Sequence, residues 1–387
     1  MATMTHRLRG TSKREEGARR DKNAGRELYH ARRGDKLTEA ATKKPHHYVR
    51  SDKLLPMTWF EQLTGFRESS IDEVHSQLTV DGEYLVSAAN GKRVAFGRLE
   101  MPSLAELRAR VKSIDAGPRK LSFGQVVASA QALHADADNA GAMFQVASQF
   151  NLLEMTSPSV TPEAGVGIYE NDYTQGPACA ISCGAGTIYR NYFVPLSSQL
   201  GQSSRRQIDC SEDLGRLLGN EDAKLWKMQN GYLFPSNLGL AQITQRIDDA
   251  SPDQRDELTG SLRIGVQWNT AVTLPGASHR VSQAYCSALP VAYGNQPTAQ
   301  WESFARLILE ATYEATVCSA IINASQGGVG KLFLTLVGGG VFGNREAWIV
   351  DAMALAIRKY RAYPLDVLVV AFRSPLDSIE RLKRQLD

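Results

Sequence analysis

Between Asn151 and Asp172 the chain carries four carboxylates, Glu154, Glu163, Glu170 and Asp172, in a run otherwise rich in proline, glycine and serine, NLLEMTSPSVTPEAGVGIYEND. Thr174-Gln175-Gly176-Pro177 follows at once. Carboxylates grouped in this way can supply the acid and the base for cleaving a glycosidic bond, or ligate a hard cation such as Mg²⁺. The plainer account is a solvated acidic loop. A long stretch without regular structure inside a compact domain is usually functional, which favours the chemical account.

A second run, LFLTLVGGGVFGNREAWIVD (332–351), sets the glycines Gly338, Gly339, Gly340 and Gly343 between an apolar strand and an amphipathic helix. Glycines let backbone N–H groups come close to a phosphate, and the N-terminus of the following helix adds partial positive charge. Steric relief in a tight strand-to-helix turn is the other reading. The Lys-Ser/Thr of a P-loop is missing, as are the G-x-G-x-x-G spacing and the acidic ribose ligand of a dinucleotide site, so neither motif is supported.

The two loops together resemble the macrodomain family, in which two such loops bracket the diphosphate of ADP-ribose. More closely, FNLLEM (150–155), YENDYTQGPACA (169–180), SALPVAY (287–293) and GGGVFGN (338–344) resemble the MavL-type ADP-ribosyl hydrolases, distant relatives of poly(ADP-ribose) glycohydrolase. The resemblance spans roughly 58–380. It implies a three-layer α/β/α sandwich with a mixed, mostly parallel sheet and an N-terminal extension of helices and strands. It further implies that Gly338, Gly339, Gly340, Val341, Phe342, Gly343 and Asn344 wrap the diphosphate and distal ribose, with Thr174, Gln175 and Gly176 as the opposite wall. Asn151 counts as a further ligand contact. Asp172 is the first candidate for the catalytic carboxylate, with Glu154 and Glu163 beside it. Where ordinary macrodomains carry Asn-Ala-Ala-Asn this chain has Gln149-Phe150-Asn151-Leu152, which puts their distal-ribose contacts in question here.

The activity so implied is hydrolysis of ADP-ribose from a protein side chain, arginine being one candidate acceptor, by carboxylate-assisted attack of water at the ribose C1″. Two rivals stand beside it: a reader module that binds ADP-ribose without cleaving it, and a hydrolase of another nucleotide sugar. No cofactor is required; the carboxylates could recruit Mg²⁺, but no metal site is expected. The partner would be an ADP-ribosylated protein, and the protein itself a monomer.

The elements that must position these loops are legible in outline. Structure begins near residue 58 with a short helix, two strands joined by the Asn90-Gly91 turn, and a helix opened by Ser103. The sequence further predicts a helix over about 122–132, a strand followed by a loop over AMFQVASQFNLLEM (142–155), a strand over TIYRNYFVP (187–195) and helices over 210–228 and 236–250. Beyond these come two strands around LPGASHR (274–280) and a helix over about 298–323. The strand LFLTLVGGG, the helix AWIVDAMALAIRKY and the strand LDVLVVAF complete the order. Near-continuous apolar strands alternating with helices predict a mostly parallel sheet covered on both faces. The chain is read as a basic disordered tail (1–53) and one α/β domain (54–387).

Charge separates those two parts. Residues 1–53 hold 15 Lys/Arg against 7 Asp/Glu, leaving 29 against 34 for the rest; nucleic-acid binding is not supported for the folded part and could come only from the tail, whose plainer reading is a solvated segment. The five cysteines, Cys179, Cys183, Cys210, Cys286 and Cys318, form no CxxC pair, and no apolar run is long enough for a membrane span. A reducing compartment, cytoplasmic or nuclear, is therefore expected. His75, His134, His279, Trp268 and Tyr285 read as surface or core residues.

Overall fold

The structure is a computed structural model and describes residues 57–386. The expectation for the basic tail lies outside the described residues. Among these, seven strands build the central sheet: β1 (Arg98–Glu100), β2 (Ser122–Val127), β3 (Met143–Ala147), β4 (Gly265–Ala271), β5 (Arg280–Cys286), β6 (Lys331–Leu334) and β7 (Asp366–Ala371). Their order is β1-β4-β5-β3-β6-β7-β2. The five from β5 to β2 run parallel, while β4 is antiparallel to both β5 and β1.

Seven helices cover this sheet: α1 (Leu104–Val111), α2 (Ala130–Ala135), α3 (Gln175–Ser182), α4 (Gly184–Tyr192), α5 (Glu302–Ser325), α6 (Glu346–Lys359) and α7 (Asp377–Leu386). α1, α5, α6 and α7 pack on one face and α2, α3 and α4 on the other. The expected mixed, mostly parallel sheet with helices on both sides is what the chain forms. Strand composition explains it. Leu332 and Leu334 enter the core with α5, while Phe333 turns to the other face and stacks on Phe144 with centroids 4.6 Å apart. Period-two side chains that are apolar on both sides need cover on both sides. α5 is apolar nearly all round and correspondingly buried; its one central carboxylate, Glu314, is clamped by the Arg108 guanidinium at 2.6 and 2.7 Å.

The N-terminal extension folds as two short helices, Trp59–Thr64 and Ile71–Gln77, and a three-stranded meander, Leu78–Asp81, Tyr84–Ser87 and Arg93–Ala95. Gly91, at φ 68°, closes its second turn as the Asn-Gly signal predicts. Phe60, Val74, Leu85 and Phe96 pack with Tyr169, Ile188 and Tyr192 in a small second core, which ties the extension to α4 and to the carboxylate loop.

Three sequence expectations are corrected. Residues 122–127 form the edge strand β2, paired in parallel with β7, and the helix starts only at Ser129, whose hydroxyl accepts the Ala132 amide. β-branched Val126 and Val127 mark the strand that the alanine-rich stretch after them obscures. TIYRNY is helical, part of α4. Its aromatic and β-branched residues favour a strand in isolation, but Gly184 and Gly186 let the helix close onto Trp59, Gln267 and Thr270, and that packing prevails. The helix expected over 210–228 stops at Leu218, capped by Gly219 at φ 71°, and a hairpin of Trp226–Gln229 with Tyr232–Pro235 follows.

Candidate active site

A cleft opens at the carboxyl ends of β3 and β6, where ligands of parallel α/β sheets commonly bind. Its empty volume is about 870 Å³ including the open solvent at its mouth. The glycine loop after β6 forms one wall and the N-terminus of α3 the other. Glu154 and Gln149, from the loop after β3, lie between them.

The glycine loop is held from behind. The Tyr313 hydroxyl donates to the Thr335 carbonyl (2.5 Å) and accepts the Val337 amide (3.0 Å). Asn344 Nδ2 donates to the carbonyls of Leu289 (2.8 Å) and Gly338 (3.2 Å). Gly338, at φ 75°, has no room for a Cβ, which would meet Ala288 and Asn344. Gly339 lies against Ile349 and Gly343 against Ala292. A Cβ on Gly340, by contrast, meets nothing. The amides of Gly338, Gly340, Val341 and Phe342 donate to no acceptor among the described residues. Gly338 and Phe342 are half-buried and Gly340 and Val341 exposed, so these amides are open to an anion in the cleft.

Opposite, α3 begins at Thr174, and the Gln175 and Gly176 amides have no intrahelical partner. Gln175 fixes this end to the sheet: its Oε1 accepts the Ala147 amide (2.9 Å) and its Nε2 donates to the Gln145 carbonyl (2.8 Å). A Cβ at Gly176 would lie 2.0 Å from the Ala147 carbonyl oxygen and 3.2 Å from Glu154 Cγ, so only glycine lets the helix end sit on the strand end beside the carboxyl. The helix N-terminus that faces the cleft is thus that of α3. The sequence pointed to α6, whose first two residues, Glu346 and Ala347, are exposed and whose first turn does not line the cleft. Among the described residues no Lys or Arg lines the cleft, so an anion there would be held by backbone donors and the α3 dipole.

Glu154 is buried, and among the described residues neither carboxyl oxygen has a hydrogen-bond donor. Its amide donates to the Tyr169 hydroxyl (3.0 Å). Its neighbour Met155 is pinned by Gln149, whose Oε1 accepts the Met155 amide (3.0 Å) and whose Nε2 donates to the Met155 carbonyl (3.2 Å). Tyr232 donates to the same carbonyl at 2.9 Å. Behind the carboxyl lies the fully buried Arg190 of α4, with Nη2 3.5 Å from Glu154 Oε2, Nε donating to the Leu152 carbonyl, and Cζ 3.6 Å above the Tyr285 ring. Burial pushes the Glu154 carboxyl up to about 8, against the pull of Arg190. Burial therefore favours the protonated carboxyl beside the cleft, the form from which a general acid acts.

Asp172 stands half-buried at the mouth, its Oδ1 accepting the Thr174 amide at 2.9 Å. Burial, with the nearby Asp172 charge adding to it, raises the phenols of Tyr232 and Tyr293. Those two rings and Phe342 form an aromatic cluster on the cleft wall, with centroids 5.3 to 5.8 Å apart.

Of the residues singled out from sequence, Glu154, Asp172, Thr174, Gln175, Gly176, Gly338, Gly340, Val341 and Phe342 line one cleft. Gly339 is exposed and, like Gly343 and the buried Asn344, does not line it. Asn151 is fully buried as the staple of a turn: Oδ1 accepts the Leu153 amide and Nδ2 donates to Gln207 (2.8 Å). Glu163 faces away and accepts the Ser204 amide (2.7 Å) and hydroxyl (2.9 Å). Gln149, Tyr232 and Tyr293 of the lining, and Arg190, Tyr169 and Tyr285 behind it, were not singled out for the site. The Asn230-Gly231 dipeptide announces the hairpin that carries Tyr232, and the misread α4 hid Arg190. Among the described residues no group of three His, Cys, Asp or Glu converges on one point.

A second, more apolar cavity adjoins the first and shares Asp172, Thr174, Gln175 and Thr335 with it. Trp59, Ile181, Val370 and the exposed Phe372 line it, at the ends of β2 and β7.

No family model matches the chain, and no curated protein matches it. Among solved structures it is similar to a poly(ADP-ribose) glycohydrolase from Thermomonospora curvata, at 12% identity over 82% of this chain and 96% of that one, with a TM-score of 0.41. It is likewise similar to a poly(ADP-ribose) glycohydrolase from Deinococcus radiodurans in complex with ADP-ribose, at 12% identity over 75% and 95%, also with a TM-score of 0.41. At so loose a likeness nothing passes from those enzymes to this chain.

Proposed function

We propose that the chain is an ADP-ribosyl hydrolase that releases ADP-ribose from an acceptor side chain, arginine being the first candidate. One observation carries the reading: a buried carboxyl, which burial shifts toward its protonated form, lies beside a cleft whose two walls present backbone amides with no acceptor among the described residues. The sequence resemblance of those walls to ADP-ribose-binding loops gives the ligand. The diphosphate bridges the glycine loop and the α3 N-terminus, and the adenosine enters the adjoining apolar cavity. The distal ribose then lies with C1″ between Glu154 and Asp172.

The chemistry follows from the two carboxyls. Asp172 orients a water and takes its proton as the C1″–O bond forms through an oxocarbenium-like transition state. Glu154 gives its proton to the departing acceptor nitrogen as the C1″–N bond breaks. Tyr232, Tyr293 and Phe342 supply flat faces on which a guanidinium acceptor stacks. The test is to follow release of ADP-ribose from ADP-ribosyl-arginine by wild type and by Glu154→Gln, with ADP-ribose affinity measured by calorimetry. The reading predicts that the variant binds but does not cleave. A wild type that binds ADP-ribose and cleaves no ADP-ribosyl bond makes the protein a reader, and one that binds none removes the ligand assignment.

A further inference from the structure

The carboxylate loop must hold Asp172 and Tyr169 in place, yet from Pro162 to Asn171 it has only two short 3₁₀ turns. The N-terminal extension supplies what the loop lacks. Glu68, in the link between its two helices, reaches into the loop: Oε1 accepts the Val166 amide (2.9 Å) and the Tyr192 hydroxyl (2.7 Å), and Oε2 accepts the Gly167 amide (2.6 Å). One carboxylate thus ties together three segments, and both its oxygens are used. The loop is shaped to receive it. Gly165 takes φ 81°, and a Cβ there would lie 2.6 Å from the Glu68 carboxyl; one on Gly167 would lie 2.7 Å from Oε2. A second tie runs the other way, from the Trp59 amide to Glu170 Oε2 at 3.2 Å.

Tyr169 follows two residues after the clasped Gly167, buried in the core that the extension shares with the loop, and its hydroxyl accepts the Glu154 amide. Asp172 follows three residues later, its amide bonded to the Tyr169 carbonyl (3.1 Å). We propose that Glu68 is a positioning residue, a clasp by which the N-terminal extension fixes the loop carrying Tyr169 and Asp172 and so sets the geometry of both proposed catalytic carboxyls. The inference rests on the hydrolase reading for its kinetic consequence, but the clasp itself can be tested without it.

In the full-length protein, Glu68→Ala removes all three bonds, Glu68→Gln keeps an acceptor oxygen for part of them, and Tyr192→Phe removes one. Hydrolysis of ADP-ribosyl-arginine, corrected for the folded fraction, is expected to fall in kcat by about tenfold to a hundredfold in Glu68→Ala. Glu68→Gln should recover part of that loss and Tyr192→Phe should lose least. KM and ADP-ribose affinity should stay within about threefold, because the glycine loop and α3 do not depend on Glu68. Amide hydrogen exchange over 162–172 should quicken in the same rank order. A kcat that tracks only the folded fraction, or a loss carried by KM, overturns the positioning role. If the wild type cleaves nothing, the hydrolase reading falls separately and exchange still decides the clasp. Quicker exchange over 162–172 in Glu68→Ala upholds it, and unchanged exchange overturns it.

Discussion

Replacing Glu154 by Gln keeps the volume of the side chain and removes its proton chemistry. In the folded protein burial holds the wild-type carboxyl neutral up to about pH 8, against an ordinary 4.5. Between those values the native state binds one proton more than the unfolded chain, so stability falls as pH rises. This contribution is fully present below the unfolded value and is lost as pH climbs through the folded one. At about 1.4 kcal/mol per pH unit the loss reaches at most about 5 kcal/mol between pH 4.5 and 8, roughly 5–10 °C in melting temperature for a domain of this size. Gln cannot ionise and carries no such loss. Melting curves of wild type and Glu154→Gln, taken from pH 5 to 9 in one buffer series, should run close together at pH 5. By pH 8–9 the variant should be the more stable, because every other titrating group is common to both and cancels. Activity should move oppositely. The wild-type rate should fall as pH rises past about 8, and Glu154→Gln should be slower by about 10²–10⁴-fold with no such limb. A melting difference that stays constant over the whole range would mean that Glu154 is ionised throughout, and its role as the acid would be refuted.

Asp172→Asn should slow hydrolysis of ADP-ribosyl-arginine by at least about a hundredfold while ADP-ribose affinity stays within threefold, under about 1 kcal/mol; full activity would move the base elsewhere. Glu163→Gln serves as its control, since Glu163 faces Ser204, and its kcat should match wild type. Gly340→Val has room for its Cβ and should fold normally yet weaken ADP-ribose binding about tenfold or more, as read by calorimetry; unchanged affinity would reject the phosphate role of that wall. Asn151→Ala should lower stability by about 1–3 kcal/mol in denaturant titration, because it strands the Leu153 amide in a buried turn. A loss of ADP-ribose affinity at full stability would instead return Asn151 to the ligand.

The layers and the two loops were legible in composition and period alone. The runs LFL and VLVV are apolar on alternate and intervening positions alike, so strands so composed had to be buried on both faces. Glycines between such a strand and a helix pointed to a cleft wall, and the acidic loop pointed to carboxylates beside it. These are local signals, written in composition and period.

What the sequence left open depended on distance along the chain. Glu154, Asp172 and Glu163 are alike as letters. Tertiary structure separates them, burying the first, half-burying the second at the cleft mouth and turning the third toward Ser204. The α3 N-terminus reaches the cleft because Gly176 sits on the Ala147 carbonyl, a contact that no propensity encodes. Arg190 reaches the site only because TIYRNY folds as a helix under tertiary packing. The acidity of Glu154 depends on burial, on Arg190 and on Tyr169, brought from segments that the sequence holds apart. Desolvation and Coulomb energy depend on distances in space, and only the folded chain sets those distances.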